Sequence, residues 1–212
     1  MKLNISEIKK FYKGYGGLSG HGFDHVERVL KMAELICKKE GGDMEIVEAA
    51  ALLHDIARTK EDKNEKLDHA IEGATMAEKY LRKVNFSEAK IKNIVHCVAV
   101  HRFSRGKKPE TKEAKIIQDA DRLDALGAII ITRVLSHGAL HGLPVYDPKI
   151  KPLKEYKGKK ATAINHFYEK ILKIIPSSFH TKTAQKIART RYDFVVKFLD
   201  QFKKEWEGKD LS

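Results

Sequence analysis

Apolar residues recur every three or four positions along most of this 212-residue chain, and this spacing limits the fold more than any other feature. In residues 24–39, for example, Val29, Ala33 and Ile36 share one helical face, and Gly41 follows where such a helix would end. Further helical patterns cover about 1–13, 43–56, 67–83, 87–101, 112–136, 161–174 and 180–206. Strand patterns are nearly absent. The sequence therefore predicts an all-α fold of about eight to ten helices.

The chain length indicates a single domain that spans residues 1–212. We expect residues 20–135 to hold its core, and residues 160–206 to form a helical extension. Residues 136–160 are rich in Gly, Pro and Lys and are too long for an ordinary connector, so this segment is a candidate lid. The polar run TKEDKNEK from residue 59 predicts a loop.

The net charge of +12 favours anionic partners such as nucleotides, nucleic acids or phosphorylated metabolites. Lysine-rich solvated helix faces explain the same charge equally well.

No apolar run approaches the roughly 20 residues that cross a membrane, and the N-terminus lacks the apolar core of a signal peptide. Cys37 and Cys97 are expected to be buried thiols. We therefore expect a cytoplasmic protein without a membrane partner, of unknown oligomeric state.

The adjacent residues His54 and Asp55, in the apolar run AALLHDIA, are candidates for a metal site. His25 lies upstream of them and Asp121 lies downstream. A carboxylate in so apolar a run needs a partner or a metal. Two imidazoles and two carboxylates on three helices would suit a divalent cation. Mn²⁺ or Mg²⁺ is favoured, and another transition metal is the alternative. The competing interpretation is that each residue is an ordinary hydrogen-bonded core residue.

The segments that carry these residues resemble the HD superfamily of metal-dependent phosphohydrolases over almost the whole chain. The runs HGFDHVERV, LLHDIA, HCVAVHRFS, QDADRLDALGA and HFYEKIL are similar to small stand-alone HD hydrolases, which include a nucleoside triphosphate pyrophosphohydrolase. The resemblance implies an HD-domain helical bundle with His25, His54, Asp55 and Asp121 as metal ligands. Asp121 is selected because it precedes Arg-Leu, as the last ligand of the family does. The implied reaction is Mn²⁺- or Mg²⁺-dependent hydrolysis of (deoxy)nucleoside triphosphates to monophosphate and pyrophosphate.

Roles in catalysis and substrate binding are predicted for residues around these ligands. Asp55 and Asp124 are the candidate catalytic residues; Asp124 could accept a proton, orient a ligating histidine or pair with Arg122. Side chains that can donate to phosphate are the candidate substrate contacts. These are His21, Arg58, His69, His96, His101 and Arg122. Three of the histidines, at 69, 96 and 101, have two alternatives: ligands of a second metal, as in dinuclear members of the superfamily, or structural residues.

Departures from other HD motifs narrow the activity. Hydrolases of the stringent-response nucleotide carry Glu-Asp soon after the His-Asp pair, and this chain does not. The helical 5′-nucleotidases carry a Glu near position 58, where this chain has Arg58. The GlyTyrPro motif of cyclic dinucleotide phosphodiesterases does not follow His101. The alternatives are a phosphomonoesterase or phosphodiesterase on another nucleotide, or a non-catalytic nucleotide- or RNA-binding module with a structural metal. Because Trp206 is the only Trp and no regular aromatic platform exists, nucleic acid is disfavoured. The expected partner is a small phosphorylated substrate, foremost a nucleotide.

Overall fold

The computed structural model describes residues 3–12, 22–154 and 161–211. Within these ranges the regular structure is helical and contains no strand, which confirms the predicted all-α class and the predicted number of helices. The ten α-helices of the described residues are α1 (Ile5–Lys9), α2 (Phe23–Glu40), α3 (Met44–Leu53), α4 (Arg58–Lys63), α5 (His69–Lys83), α6 (Glu88–Val100), α7 (Lys112–Leu123), α8 (Ala128–Leu140), α9 (Ala163–Glu169) and α10 (Lys182–Trp206).

Two compact units divide the chain. The first unit comprises Met1–Leu123 and His180–Ala184, and the second comprises Asp124–Phe179 and Gln185–Ser212. In the first unit α2, α3, α5, α6 and α7 pack on one another around fully buried aliphatic side chains. Those with no exposed surface include Val29, Ala33, Ile36, Leu53, Ile94 and Ile117. The assignment of residues 1–212 to one domain stays a prediction.

Local sequence signals set the ends of the helices in the first unit. α2 ends at Gly41, whose φ of 79° lies in the left-handed region that favours glycine. The Asp43 side chain accepts from the N–H groups of Glu45 and Ile46 and so begins α3. Asp68 does the same for α5 by accepting from the Ala70 N–H at 3.0 Å. These caps fix where each helix begins and ends.

The predicted loop from residue 59 is wrong, because α4 occupies Arg58–Lys63. Arg58 forms ion pairs with Glu61 at 3.7 Å and with Asp62 at 3.6 Å. Pairs three and four positions apart stabilise a helix, so a polar run that resembles a loop forms a short helix of six residues. This helix carries Glu61 towards the first residue of α5.

α5 approaches the turn after α3 closely at Gly73. A Cβ at this position would lie 3.4 Å from Cγ1 of Val98 and 3.5 Å from the carbonyl oxygen of His54. A side chain larger than that of alanine would push α5 away from that turn. The glycine therefore lets α5 place its first residue, His69, beside the residues that follow α3.

In the second unit, α8 continues to Leu140, so the first residues of the predicted irregular segment 136–160 are helical. The following residues, up to 154, form hydrogen bonds with α9 and its neighbours. Asn165 Nδ2 donates to the Ile150 carbonyl at 2.9 Å, and the Leu153 N–H donates to Glu169 Oε1 at 3.0 Å. Residues 155–160 lie outside the described residues, and the lid stays a prediction.

No single helix in the described part of the chain combines the length and hydropathy needed to cross a bilayer; the bent pair of α7 and α8 passes that test by length and composition only.

Candidate metal centre

Asp55 lies in the turn that follows α3, and its two carboxylate oxygens face different histidines. Oδ1 is 3.0 Å from His69 Nε2 and 3.5 Å from His101 Nε2. Oδ2 is 3.6 Å from His54 Nε2 and 3.8 Å from His25 Nε2. One carboxylate therefore stands between two pairs of imidazoles.

The ligand atoms form two groups of three. The first ligand group is His25, His54 and Asp121, and the second ligand group is Asp55, His69 and His101; within each, the atoms lie within 4.8 Å of one another. In the first group His25 Nε2 is 3.2 Å from His54 Nε2 and 3.3 Å from Asp121 Oδ1. The structure thus brings the four predicted ligands together.

Five elements of the first unit supply these six side chains, mostly from helix ends. His25 is in the first turn of α2, His69 begins α5 and Asp121 is on α7. His54 and His101 are the residues that directly follow α3 and α6. The exposed fraction is 27% for the Asp121 side chain and at most 5% for the other five. A substrate would therefore reach the ligands from the side of Asp121.

Hydrogen bonds at Nδ1 determine what the histidines offer at Nε2. His54 Nδ1 donates to the Ala51 carbonyl at 2.8 Å, and His101 Nδ1 donates to the Val98 carbonyl at 2.7 Å. His69 Nδ1 bonds to the Glu61 carboxylate. Because a carbonyl and an ionised carboxylate only accept, each neutral imidazole carries its proton on Nδ1 and a bare lone pair on Nε2.

Two such bare nitrogens, His69 Nε2 and His101 Nε2, face each other at 3.2 Å. Lone pairs at this distance repel unless a proton or a cation lies with them. The neighbouring Asp55 oxygen adds negative charge to the same place. The donor chemistry of both groups therefore fits a divalent cation, which imidazole and carboxylate ligands bind in their deprotonated forms.

The pKa shifts of His54 and Asp121 agree with deprotonated ligands. Burial lowers the pKa of His54 to about 4, so this imidazole is neutral at pH 7. Burial acts to raise the pKa of Asp121, but the hydrogen bond and charge of His25 hold it at about 2. For His101, burial acts to lower the pKa, but the hydrogen bond and charge of Asp55 raise it overall. The Asp55 carboxylate thus favours the protonated form of His101 when no cation is bound, and a cation would replace that proton.

Asp119 shows why only one aspartate of its segment belongs to the ligands. Its carboxylate is fully buried and accepts from the N–H of His180 at 2.9 Å and the N–H of Thr181 at 2.8 Å. The Thr181 hydroxyl donates to it at 2.9 Å. Asp119 therefore ties the start of α10 to α7 within the first unit. Asp121 Oδ1 instead lies 3.3 Å from His25 Nε2, and its role as a metal ligand stays a prediction.

The other predicted site residues are placed in several ways. Arg58 Nη1 lies 3.3 Å from His69 Nδ1, at the edge of the second ligand group. The Arg122 guanidinium is buried and lies 3.6 Å from the ring centre of Phe103. His96 belongs to neither ligand group, and its Nε2 accepts from the Glu110 N–H at 3.1 Å. Their substrate roles stay predictions.

Asp124 and His21 complete the predicted set. Asp124 belongs to the second unit, where Arg133 Nη1 donates to its Oδ2 at 2.9 Å. Arg133 is thus one ion-pair partner of Asp124, and the catalytic role of Asp124 stays a prediction. His21 lies outside the described residues.

Sequence reasoning missed Glu61 and Arg102. Glu61 was assigned to a loop, and Arg102 directly follows a candidate site residue without drawing notice. Arg102 Nη1 donates to Glu61 Oε1 at 3.1 Å and to Asp68 Oδ1 at 3.1 Å. Ion pairs at helical spacing around residue 58 were the signal that could have placed Glu61 on a helix.

Comparisons with known proteins agree with this site. The HD domain family model matches residues 22–126. The YpgQ protein of Bacillus subtilis is 33% identical over 200 residues, which are 92% of this chain and 88% of that protein. The crystal structure of an HD-superfamily hydrolase from Bacillus thuringiensis is similar at 36% identity and a TM-score of 0.76, over 96% of this chain and 94% of that one.

A crystal structure of Bacillus subtilis YpgQ in complex with ADP is similar at 28% identity and a TM-score of 0.72, over 98% of this chain and 100% of that one. The family match contains the six ligand residues described above, from His25 to Asp121. The chain therefore belongs to the HD domain family and is a metal-dependent phosphohydrolase.

Proposed function

We propose that this protein hydrolyses (deoxy)nucleoside triphosphates to monophosphate and pyrophosphate with two divalent cations, Mn²⁺ or Mg²⁺. The observation that carries the proposal is the placement of Asp55 between the two ligand groups, with one oxygen toward each. A nucleotide substrate is supported by the ADP complex of the related YpgQ protein and by the net charge of +12.

The first ligand group, with Asp55, would hold one cation, and the second ligand group would hold the other. When bound, such ions lower the pKa of water and neutralise charge on phosphate. Asp55 would serve both positions and keep them together. The Nδ1 hydrogen bonds of His54, His69 and His101 hold their rings in place before substrate arrives, so little reorganisation is needed during the reaction.

Burial of the histidines keeps bulk water away from all sides of the ligand groups except the side of Asp121. A triphosphate would enter there, and cationic side chains would bind its outer phosphates. Arg58 is the candidate for this contact within the first unit, since it lies beside the second ligand group. Positioning and charge neutralisation supply most of the rate enhancement in phosphoryl transfer.

The experiment is metal-dependent turnover of chelator-treated protein with Mn²⁺, Mg²⁺, Co²⁺ or Zn²⁺ added separately. A panel of nucleoside triphosphates, diphosphates and monophosphates is tested, and pyrophosphate is resolved from orthophosphate. Pyrophosphate release by the wild type, lost in Asp55→Ala and kept in the exposed control Asp62→Ala, is the expected result. Orthophosphate as the product would replace the proposal with a phosphomonoesterase or a terminal phosphatase.

Phosphodiester cleavage is a second candidate, favoured by one comparison. Ribonuclease Y of Borrelia garinii is 32% identical over 131 residues, which are 58% of this chain and 24% of that protein. A short RNA and a linear dinucleotide therefore belong in the same panel. Cleavage of either, without turnover of any triphosphate, would assign the site to diester hydrolysis. RNA binding that is salt-sensitive and survives metal removal, without turnover, would indicate a binding module.

A further inference from the structure

The histidines of the ligand groups are held by two kinds of partner. His54 and His101 bond through Nδ1 to the backbone carbonyl three residues earlier, at Ala51 and Val98. His69 has no such carbonyl, because it is the first residue of α5. Its Nδ1 bonds instead to the side-chain carboxylate of Glu61 on α4. His69 is thus oriented by a group that mutation can remove without altering the backbone.

Glu61 is itself held by cations on neighbouring elements. Arg102 Nη1 lies 3.1 Å from Glu61 Oε1 and 3.5 Å from Oε2, and Arg58 Nη1 lies 3.7 Å from Oε2. The carboxylate is 16% exposed, which leaves it mostly surrounded by these groups. Ion pairs with these two guanidinium groups stabilise the charged form of the carboxylate.

Arg102 also links the two elements that supply the histidines of the second ligand group. It follows His101 directly, and the same Nη1 lies 3.1 Å from Oδ1 of Asp68, the residue that caps α5 just before His69. The ion pair between Arg102 and Asp68 therefore joins the two chain segments that carry His101 and His69. Glu61 is in contact with both Arg102 and His69.

An ionised carboxylate on Nδ1 does more than a carbonyl does. It fixes the tautomer and ring orientation, and its full charge makes Nε2 a stronger base and a better ligand for a cation. In the first ligand group, His54 depends instead on the Ala51 carbonyl of α3. Loss of the Glu61 charge should therefore weaken one cation position and leave the other unchanged.

We propose that Glu61 is a positioning residue that sets the cation affinity of the second ligand group, Asp55, His69 and His101, independently of the first. This inference rests on the two-cation site of the proposed function. It deepens that proposal by naming the residue that tunes one of the two positions. The expected size is the 10- to 100-fold loss of affinity, roughly, that follows removal of such a partner from a ligating histidine.

The test is direct titration of chelator-treated protein with Mn²⁺ alone, with free Mn²⁺ counted by electron paramagnetic resonance. The wild type should bind two equivalents. Glu61→Gln, which keeps the size of the side chain and removes its charge, should bind one equivalent as before and the other about 10- to 100-fold more weakly. Asp62→Asn, one residue further and 48% exposed, is the matched control and should bind both equivalents as the wild type does.

Thermal unfolding of the metal-free proteins shows whether Glu61→Gln remains folded, and Glu61→Asp provides a second variant that keeps the charge. Partial rescue of the weak equivalent by Glu61→Asp would support a role of the charge. Unchanged binding in Glu61→Gln, equal weakening of both equivalents, or a wild type that binds fewer than two ions would overturn the inference. If two ions bind as expected but no phosphate ester is hydrolysed, the proposed function fails and the inference stands.

Discussion

The two units of this protein both bury polar side chains, but they use them differently. Around Asp55 in the first unit, imidazole nitrogens and carboxylate oxygens face one another. Around α9 in the second unit, three buried polar side chains bond to backbone. Thr162 accepts from the Asn165 N–H, Asn165 donates to the Ile150 carbonyl, and Glu169 accepts from the Leu153 N–H.

The difference separates a site from a structural element. Thr162 and Asn165 have a backbone partner for a buried polar atom, and the bonds of Asn165 and Glu169 fix the path of residues near 150. Ligand atoms that face other ligand atoms lack this satisfaction and need a proton or a cation between them. The partner of a buried polar group is therefore more informative about function than its burial is.

The largest expected effect is the loss of hydrolysis in Asp55→Asn. This change keeps the shape of the side chain but removes the charge that both ligand groups share, so turnover should fall by about 10³-fold or more, roughly 4 kcal/mol in the barrier. Steady-state kinetics with Mn²⁺ measures it. Full turnover in a folded Asp55→Asn protein would contradict the assignment of Asp55 as the shared ligand.

A slightly smaller effect, on stability, is expected for Asp119→Ala. Asp119 belongs to the first unit but bonds to backbone, as the residues around α9 do. Its removal leaves the buried N–H and hydroxyl of Thr181 and the N–H of His180 without this acceptor, and it should cost about 3 kcal/mol. Urea unfolding gives the value, with exposed Asp200→Ala as the control at about 0.5 kcal/mol or less. The number of Mn²⁺ ions bound should stay that of the wild type. A lower number would show that Asp119 also supports the cation site.

Cation addition should stabilise the first unit specifically. With Mn²⁺ at 100 times its dissociation constant, the free energy of unfolding should rise by roughly 2.7 kcal/mol, because only the folded state assembles the ligands. Thermal unfolding with and without chelator measures the shift. Asp55→Asn should show little of it, whereas Thr162→Ala should show all of it. A shift of equal size in Asp55→Asn would place the cation elsewhere.

The smallest effect is expected for Thr162→Ala in the second unit. The Thr162 hydroxyl caps α9 by accepting from the Asn165 N–H at 3.0 Å. Loss of a cap costs about 1 kcal/mol, which urea unfolding can resolve. Catalytic constants should not change. A large fall in turnover, without a fall in stability, would show that α9 takes part in the reaction.

Much of this fold was predictable because helical periodicity is a local signal. The bounds of α2, α5, α6 and α10 differ from the predicted ones by at most a few residues. Two predicted stretches differ more: 112–136 is divided between α7 and α8, and the α-helix in 161–174 ends at Glu169. In α4, charged residues without an apolar face conceal a helix that ion pairs stabilise. Periodicity registers apolar faces and cannot register such pairs.

That the four candidate ligands lie close together was also predictable, from their order along the chain and the resemblance to HD hydrolases. Their division into two groups was not. It depends on which oxygen of Asp55 faces which imidazole and on how closely Gly73 lets α5 approach. These are facts of packing between distant segments. The burial of His166 and Glu169 likewise depends on the segment that packs against α9.

The Nδ1 bonds of His54 and His101 have a consequence for how freely this site can vary. Each bond occupies one of the last carbonyls of a helix while it aims a ligand, so a single contact serves both the helix terminus and the cation. Replacement of either histidine should harm folding and activity together. A mutational scan would record such positions as intolerant without revealing which property failed. Glu61 lies outside that constraint, which makes residue 61 the position at which related sequences could adjust metal preference at little structural cost.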